Sequence, residues 1–264
     1  MRMGEDLAAL EAGYAPSYEL TRQAGLQALN CGYLRDPDDS FYRHQQNLIW
    51  RLLEDTPIGP ESVVLDVGCG IGGPLSWIFE RYQPRLAVGV EYCGSCVRTA
   101  TELWADRSPR PHFVQGDAHR LPIESGSVDV ILNCESALHY RDKDTFLREC
   151  RRVLRPDGHL CLGDITNRRP RFWAMVTRRA RRPIFLWTAK QYLASLAANG
   201  FELLRHEEAS QPISAAMHAG LAEIPAGRFP GVPGIRKRLL LLRSLQMLLR
   251  RRALTYDLFC ARAR

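Results

Sequence analysis

The 264-residue sequence predicts an α/β protein built on a doubly wound, mostly parallel sheet. From residue 63 onward, apolar runs of strand length alternate with amphipathic stretches of helical length. The first run, Val63-Val64-Leu65-Asp66-Val67, also passes straight into a glycine-rich turn, Gly68-Cys69-Gly70-Ile71-Gly72-Gly73. Pro74 follows, opening an amphipathic helix over 74–82; a proline suits the first helical turn, where its missing N–H costs nothing. The glycines let the backbone pass close to a ligand, and the helix N-terminus offers free N–H groups. Open α/β sheets bind ligands at such a turn, at the carboxyl edge of the strands.

Two cofactors compete for this turn. Gly68, Gly70 and Gly73 satisfy a G-x-G-x-x-G dinucleotide pattern, and Glu91 follows the second apolar run (86–90) at a suitable distance. Asp66 decides against that reading. A nicotinamide cofactor has no use for an anion there, whereas S-adenosylmethionine (SAM) carries an α-ammonium group that needs one. The stretch Leu65 to Gly73 resembles the SAM-binding motif of class I methyltransferases, and its Gly-Gly-Pro ending is similar to the sterol, tocopherol and quinone branch. The resemblance implies a Rossmann-like seven-stranded sheet with an antiparallel last strand, and a small-molecule methyltransferase using SAM.

The rest of the chain follows that plan. Strand two ends in Glu91-Tyr92, where a carboxylate can accept both ribose hydroxyls and a ring can cover the adenine. Strand three (111–115) leads into Gly116-Asp117-Ala118; in the family an aspartate at that tip accepts the adenine amino group. Residues 116–122 resemble the family's third motif, and 125–131 its approach to strand four. A helix over 143–154, a turn at Arg155-Pro156-Asp157-Gly158 and strand five (159–165) come next. Thr188 to Gln191 reads as a capping box, Asn199-Gly200 as the end of that helix, 201–205 as strand six and 254–261 as the last strand. The resemblance assigns cofactor contacts to Tyr33, Asp66, Gly68, Cys69, Gly70, Glu91, Tyr92, Asp117, Ala118, Asn133 and Glu135.

Residues 1–55 read as a helical lid ahead of the SAM domain (56–264), with helical spacing over 7–10, 20–29 and 41–53. Leu29-Asn30-Cys31-Gly32-Tyr33-Leu34 resembles the lid element of small-molecule methyltransferases, with cysteine and leucine replacing two aromatics. Tyr33 either touches the ligand or packs. Two insertions, near 166–187 and 211–252, read as a substrate cap. Both are rich in arginine; the first interleaves it with Phe172, Trp173 and Met175, the second surrounds a leucine-rich helix over 239–249.

Methyl transfer from a sulfonium is an in-line displacement, so the protein mainly aligns the partners. A hydroxyl acceptor also gains from a base titrating near neutrality, and histidine is the natural choice. His139 lies just past strand four and Asp164 ends strand five, and the pair resembles the His and Asp of natural-product O-methyltransferases. The bland alternative is that His139 packs and Asp164 caps a turn.

Composition narrows the classes. The net charge of +7 is almost all arginine, since Lys143, Lys190 and Lys237 are the lysines. No RNA-binding module accompanies it, and the Asp-Pro-Pro-Tyr and Asn-Pro-Pro-Tyr motifs for planar amino acceptors are absent, so a nucleic-acid substrate is not expected. Eight scattered cysteines indicate reduced thiols; Cys93 and Cys96 form a lone C-x-x-C without a second pair, so no metal is expected. The N-terminus lacks the apolar core of a signal peptide, giving an expected cytoplasmic location, with peripheral membrane contact through the basic C-terminal helix. The expected function is O-methylation of a small, largely apolar or anionic metabolite. The alternatives are C-methylation of a quinone or isoprenoid and, from another class, an RNA-modifying or non-catalytic SAM-binding protein.

Overall fold

The computed structural model describes residues 14, 17–107, 110–168, 184–223 and 234–264. Helix α1 (Phe41–Leu52) precedes the alternating core: β1 (Val63–Val67), α2 (Gly73–Tyr82), β2 (Leu86–Glu91), α3 (Gly94–Leu103), β3 (His112–Gln115) and β4 (Val128–Cys134). A 3-10 turn at Ala137–His139 leads to α4 (Lys143–Val153) and β5 (Leu154–Asn167). The chain continues as α5 (Ala189–Ala198), β6 (Phe201–Glu208), α6 (Ser210–Glu223), α7 (Ile235–Arg250) and β7 (Leu254–Ala263).

The seven strands lie in the order β3-β2-β1-β4-β5-β7-β6. Strands β1 to β5 pair in parallel, and β7 runs antiparallel between β5 and β6. This is the class I methyltransferase architecture. The order reverses at β1, which has β2 on one side and β4 on the other, so the glycine turn after β1 stands at the switch point where such sheets open a crevice.

Period-two alternation sorts the strands onto two cores. Val64, Val130, Leu132, Cys161, Ile165, Tyr256 and Leu258 pack with α1, α2, α6 and α7 on one face. Val63, Leu65, Val67, Ile131, Leu160, Leu162 and Phe259 pack with α4 and α5 on the other. The helix caps follow the sequence: Thr188 and Gln191 bond reciprocally at the head of α5, and Asn199 ends it before Gly200 at φ +78°.

Three expectations need correcting. Residues 26–29 are not helical: the helical stretch stops at residue 23, and Gly25 at φ +72° breaks the apolar period. The turn at 155–158 does not precede β5 but bulges out of it. Leu154 pairs Val128 and His159 pairs Val130, so four residues oppose Asp129 alone, with Asp157 left-handed at φ +62°. Strand β6 extends to Glu208 because β7 pairs it that far, a contact no local pattern signals. The helix expected over 7–10 and most of the first arginine-rich insertion, with Phe172, Trp173 and Met175, lie outside the described residues.

Candidate active site

The tips of β1, β2 and β4 build one cradle. Gly68 at φ +77° donates its N–H to the Val90 carbonyl (2.7 Å), and a Cβ there would stand 2.4 Å from that of Ser136. No side chain fits, and few residues tolerate that backbone. Gly70 (φ +56°) donates its N–H to Glu91 Oε2 at 3.0 Å, while the Cys93 N–H meets Oε1 at 3.0 Å. These two amides aim the Glu91 carboxylate across the turn. Burial still holds its pKa above the usual range, despite the N–H donors that lower it.

Asp66 is 2% exposed, and nothing among the described residues donates a hydrogen bond to it. Burial, with the charge of Glu91 added, pushes its pKa up to about 8. A buried carboxylate without a donor is one half of an ion pair, and an ammonium group supplies the other half. With the glycine cradle beside it, this chemistry fits SAM. Asp66 would hold the α-ammonium, the backbone of Gly68, Cys69 and Gly70 would flank the ligand, and Glu91 would take the ribose.

These residues share a cavity of about 680 Å³ with a largely apolar second wall. Cys69, Tyr92, Asp117, Ala118 and Glu135 line it, as does His139, beside Leu138, Ile165, Ile184, Phe185, Leu186, Leu241 and Leu245. Asp117 Oδ1 accepts from the backbone N–H of His119 (2.8 Å) and lies 2.7 Å from that ring's Nδ1, which lowers its pKa. Glu135 sits at φ +55°, costly for a non-glycine residue and typical of functional sites. Its Oε1 accepts from the Cys31 N–H (2.7 Å) and the Tyr256 hydroxyl (3.0 Å), and burial raises its pKa to about 7.

Three of the named residues stand outside the cavity wall. Tyr33 turns away and donates its hydroxyl to Glu207 Oε1 at 3.0 Å, joining a cluster with Arg51. Asn133 is fully buried behind the wall, its amide nitrogen donating to the Val67 carbonyl (2.8 Å) and to Ser136 Oγ (2.6 Å). It ties the β1 turn to the β4 turn. Asp164 shares pleat parity with Leu160 and Leu162, so it points toward α4 and α5 while Ile165 faces the cavity. Its Oδ2 accepts from the Tyr192 hydroxyl at 2.5 Å, and burial raises its pKa to about 6 against the opposing pull of Lys143.

The sequence reading missed the aromatic pair of the N-terminal segment. The Tyr14 hydroxyl is hydrogen-bonded to His139 Nε2, with the rings edge to face at 5.6 Å. Tyr18 lies beside Tyr14, the rings tilted at 35°, and brings its hydroxyl against Gly70 near Glu91; burial and that carboxylate hold its pKa far up. Their spacing of four places both on one helical face, the one signal that could have found them.

Residues 65–162 match the methyltransferase domain family. This chain carries a methyltransferase domain. The erythromycin 3''-O-methyltransferase of Saccharopolyspora erythraea is 34% identical over 58% of this chain and 50% of that protein. The fatty-acid O-methyltransferase of Mycolicibacterium smegmatis is 31% identical over 68% of this chain and 65% of that protein. The chain thus spans between half and two-thirds of the length of these relatives. Among solved structures, the cyclase SpnF superposes with a TM-score of 0.78 at 24% identity, covering 96% of this chain and 94% of that one. The mycolic acid cyclopropane synthase CmaA1, complexed with SAH and CTAB, gives 0.83 at 18% identity, covering 97% and 98%. The methyltransferase domain takes S-adenosylmethionine as its cofactor, in keeping with the donor set around Asp66.

Proposed function

We propose that the protein methylates a hydroxyl group of a small, largely apolar metabolite, with His139 as the base. One observation supports this above the rest: His139 shares a single cavity with the Asp66–Glu91 cradle, and the remaining wall is mostly apolar. When bound, SAM supplies an electrophilic methyl group; the protein supplies position, dryness and a proton acceptor. His139 takes the hydroxyl proton of the acceptor as its oxygen becomes nucleophilic, and Tyr14 fixes the ring's orientation. Leu138, Ile165, Leu241 and Leu245 exclude water and select apolar surface. The O-methyltransferase names of two relatives agree with this chemistry.

Charge and exposure extend the proposal to where the substrate is met. Helix α7 leaves Leu240, Leu241, Leu242 and Met247 exposed, flanks them with Arg236, Lys237, Arg243 and Arg250, and contributes Leu241 and Leu245 to the cavity. We assign this face to an anionic lipid surface, from which an apolar acceptor would reach the cavity directly. The proposed contact is peripheral; no helix among the described residues is long and apolar enough to cross a membrane.

Transfer of labelled methyl from SAM to a panel of hydroxy fatty acids, fatty acids, glycosides and quinols tests the reading. Label in an ether or ester of an apolar member supports it; label confined to ring carbon supports the second reading, C-methylation. One observation favours that alternative: the buried Glu135 carboxyl could stabilise the cation that develops when an alkene or ring carbon is methylated. Glu135→Gln would then cost more activity than His139→Ala.

A further inference from the structure

A lysine with no solvent exposure heads α4, where it opposes two physical preferences at once. Burial of an ammonium group is costly, and a cation at a helix N-terminus meets the positive end of the dipole. Something other than the helix must hold Lys143 there. Its Nζ bonds the carbonyl of Ala137, stands 3.3 Å from that of Tyr140, and donates to that of Phe185 at 2.7 Å. Three carbonyls match the three donors of an ammonium group. Two of them bracket the 3-10 turn that carries His139, and the third belongs to the 184–186 stretch of the apolar cavity wall. A second tie runs alongside, from the Phe185 N–H to the Leu138 carbonyl at 2.7 Å. Asp164 on β5, bonded to Tyr192, makes no direct ion pair with the lysine among the described residues, but its charge lies near enough to oppose the effect of burial on the ammonium group.

We propose that Lys143 is a positioning residue, its ammonium clamping the His139 turn to the 184–186 wall so that the base and the acceptor's pocket are held as one unit. The proposal rests on the reading of His139 as the base. It also gives Asp164 a role different from the one its sequence position suggested: a charge facing the clamp from β5, on the face of the sheet that α4 covers.

Lys143→Met alone leaves the Asp164 charge buried without that nearby cation and could unfold the protein, so the decisive variant is Lys143→Met/Asp164→Asn, which removes both charges. Thermal unfolding and titration with S-adenosylhomocysteine should match the parent protein. Amide exchange at Phe185, His139 and Tyr140 should accelerate at least about tenfold, while Leu65 and Ile131 in the central strands stay protected. With the best acceptor of the labelling panel, kcat should fall by roughly 10²-fold and the acceptor KM rise, since displacements near 1 Å cost that much. Unchanged exchange at Phe185 overturns the clamp. So does loosened exchange with full kcat, which would leave the lysine a structural counter-ion. His139→Ala, run in parallel, separates the two ideas. Full activity of that variant overturns the base, whereas an inactive His139→Ala beside a fully active double variant overturns the clamp alone.

Discussion

The cofactor side and the acceptor side of the cavity are built in opposite ways. Asp66, Gly68, Gly70 and Glu91 fall within 26 consecutive residues and are fixed by neighbouring parallel strands and short backbone bonds. The acceptor side draws on Tyr14, His139, Phe185 and Leu241, which meet only through folding; behind the wall, the bond from the Cys31 N–H to Glu135 spans 104 residues. The first arrangement suits a ligand that never changes. The second can be altered piece by piece without touching the first, which lets one scaffold serve many acceptors. If that division holds, damage to one side should leave the other side's readout unmoved.

The largest effect is expected at the base. His139→Ala should lower kcat by about 10²–10⁴-fold while S-adenosylhomocysteine affinity, read by calorimetry, stays within about twofold. A matching loss of cofactor affinity would break the comparison. Tyr14→Phe should slow turnover less, since it removes only the ring's hydrogen bond.

Next comes Asp66→Ala. It should weaken SAM by about 1–3 kcal/mol through loss of a charge-assisted bond, with the acceptor KM unchanged. Both KM values rising together would show that the two sides are not separable.

A smaller effect is tied to pH. With its pKa at about 8, Asp66 carries a proton in the ligand-free protein at neutrality, yet must be a carboxylate to pair with the ammonium of SAM. Binding should therefore release a proton, and affinity should rise by up to about tenfold per pH unit as pH climbs toward 8. Calorimetry in buffers of differing ionisation enthalpy counts the proton; none released would refute the pairing. Stability of the ligand-free protein runs the opposite way with pH. Asp66, Glu135 and Asp164 have raised folded pKa values of about 8, 7 and 6, so their contribution is fully present below the unfolded carboxyl range. It is lost as pH rises through those values. The melting temperature of the ligand-free protein should drop across that window, and SAM should restore part of it.

The smallest effect concerns α7. Arg250, Arg251 and Arg252 changed together to Gln should weaken sedimentation with anionic vesicles, each arginine near the surface being worth about 1 kcal/mol at most. Rising salt should do the same to the parent protein. No binding at low salt would confine the protein to substrates taken from solution.

What the sequence made legible follows the same division. Strand β1, the glycine turn and α2 fall within a residue of expectation, because period-two burial and a proline at the helix start are local signals. Asp66 and Glu91 were expected at two strand tips, and both tips do line one cavity. Tyr33 was misplaced by motif likeness: its hydroxyl is drawn to Glu207 on β6, a partner 174 residues away. Asp164 was placed on the right strand edge, but its parity sends it to the opposite face. Lys143 reads in the sequence only as a helix start and one of three lysines, since a lysine at a helix head looks solvated until its three carbonyl partners are seen.

The position of β7 has a consequence for how the molecule comes into being. It lies inside the sheet, pairing β5 through nine residues from His159 to Asn167 and pairing β6 on its other edge. Until it docks, β5 has an open edge and β6 has no neighbour in the sheet. The last of the seven strands to leave the ribosome is thus the one that joins β6 to the rest. Nascent chains should hold the cradle of β1 to β4 in native form while still exposing unpaired strand edges beside it, an interval in which chaperone capture or edge-to-edge pairing competes with closure.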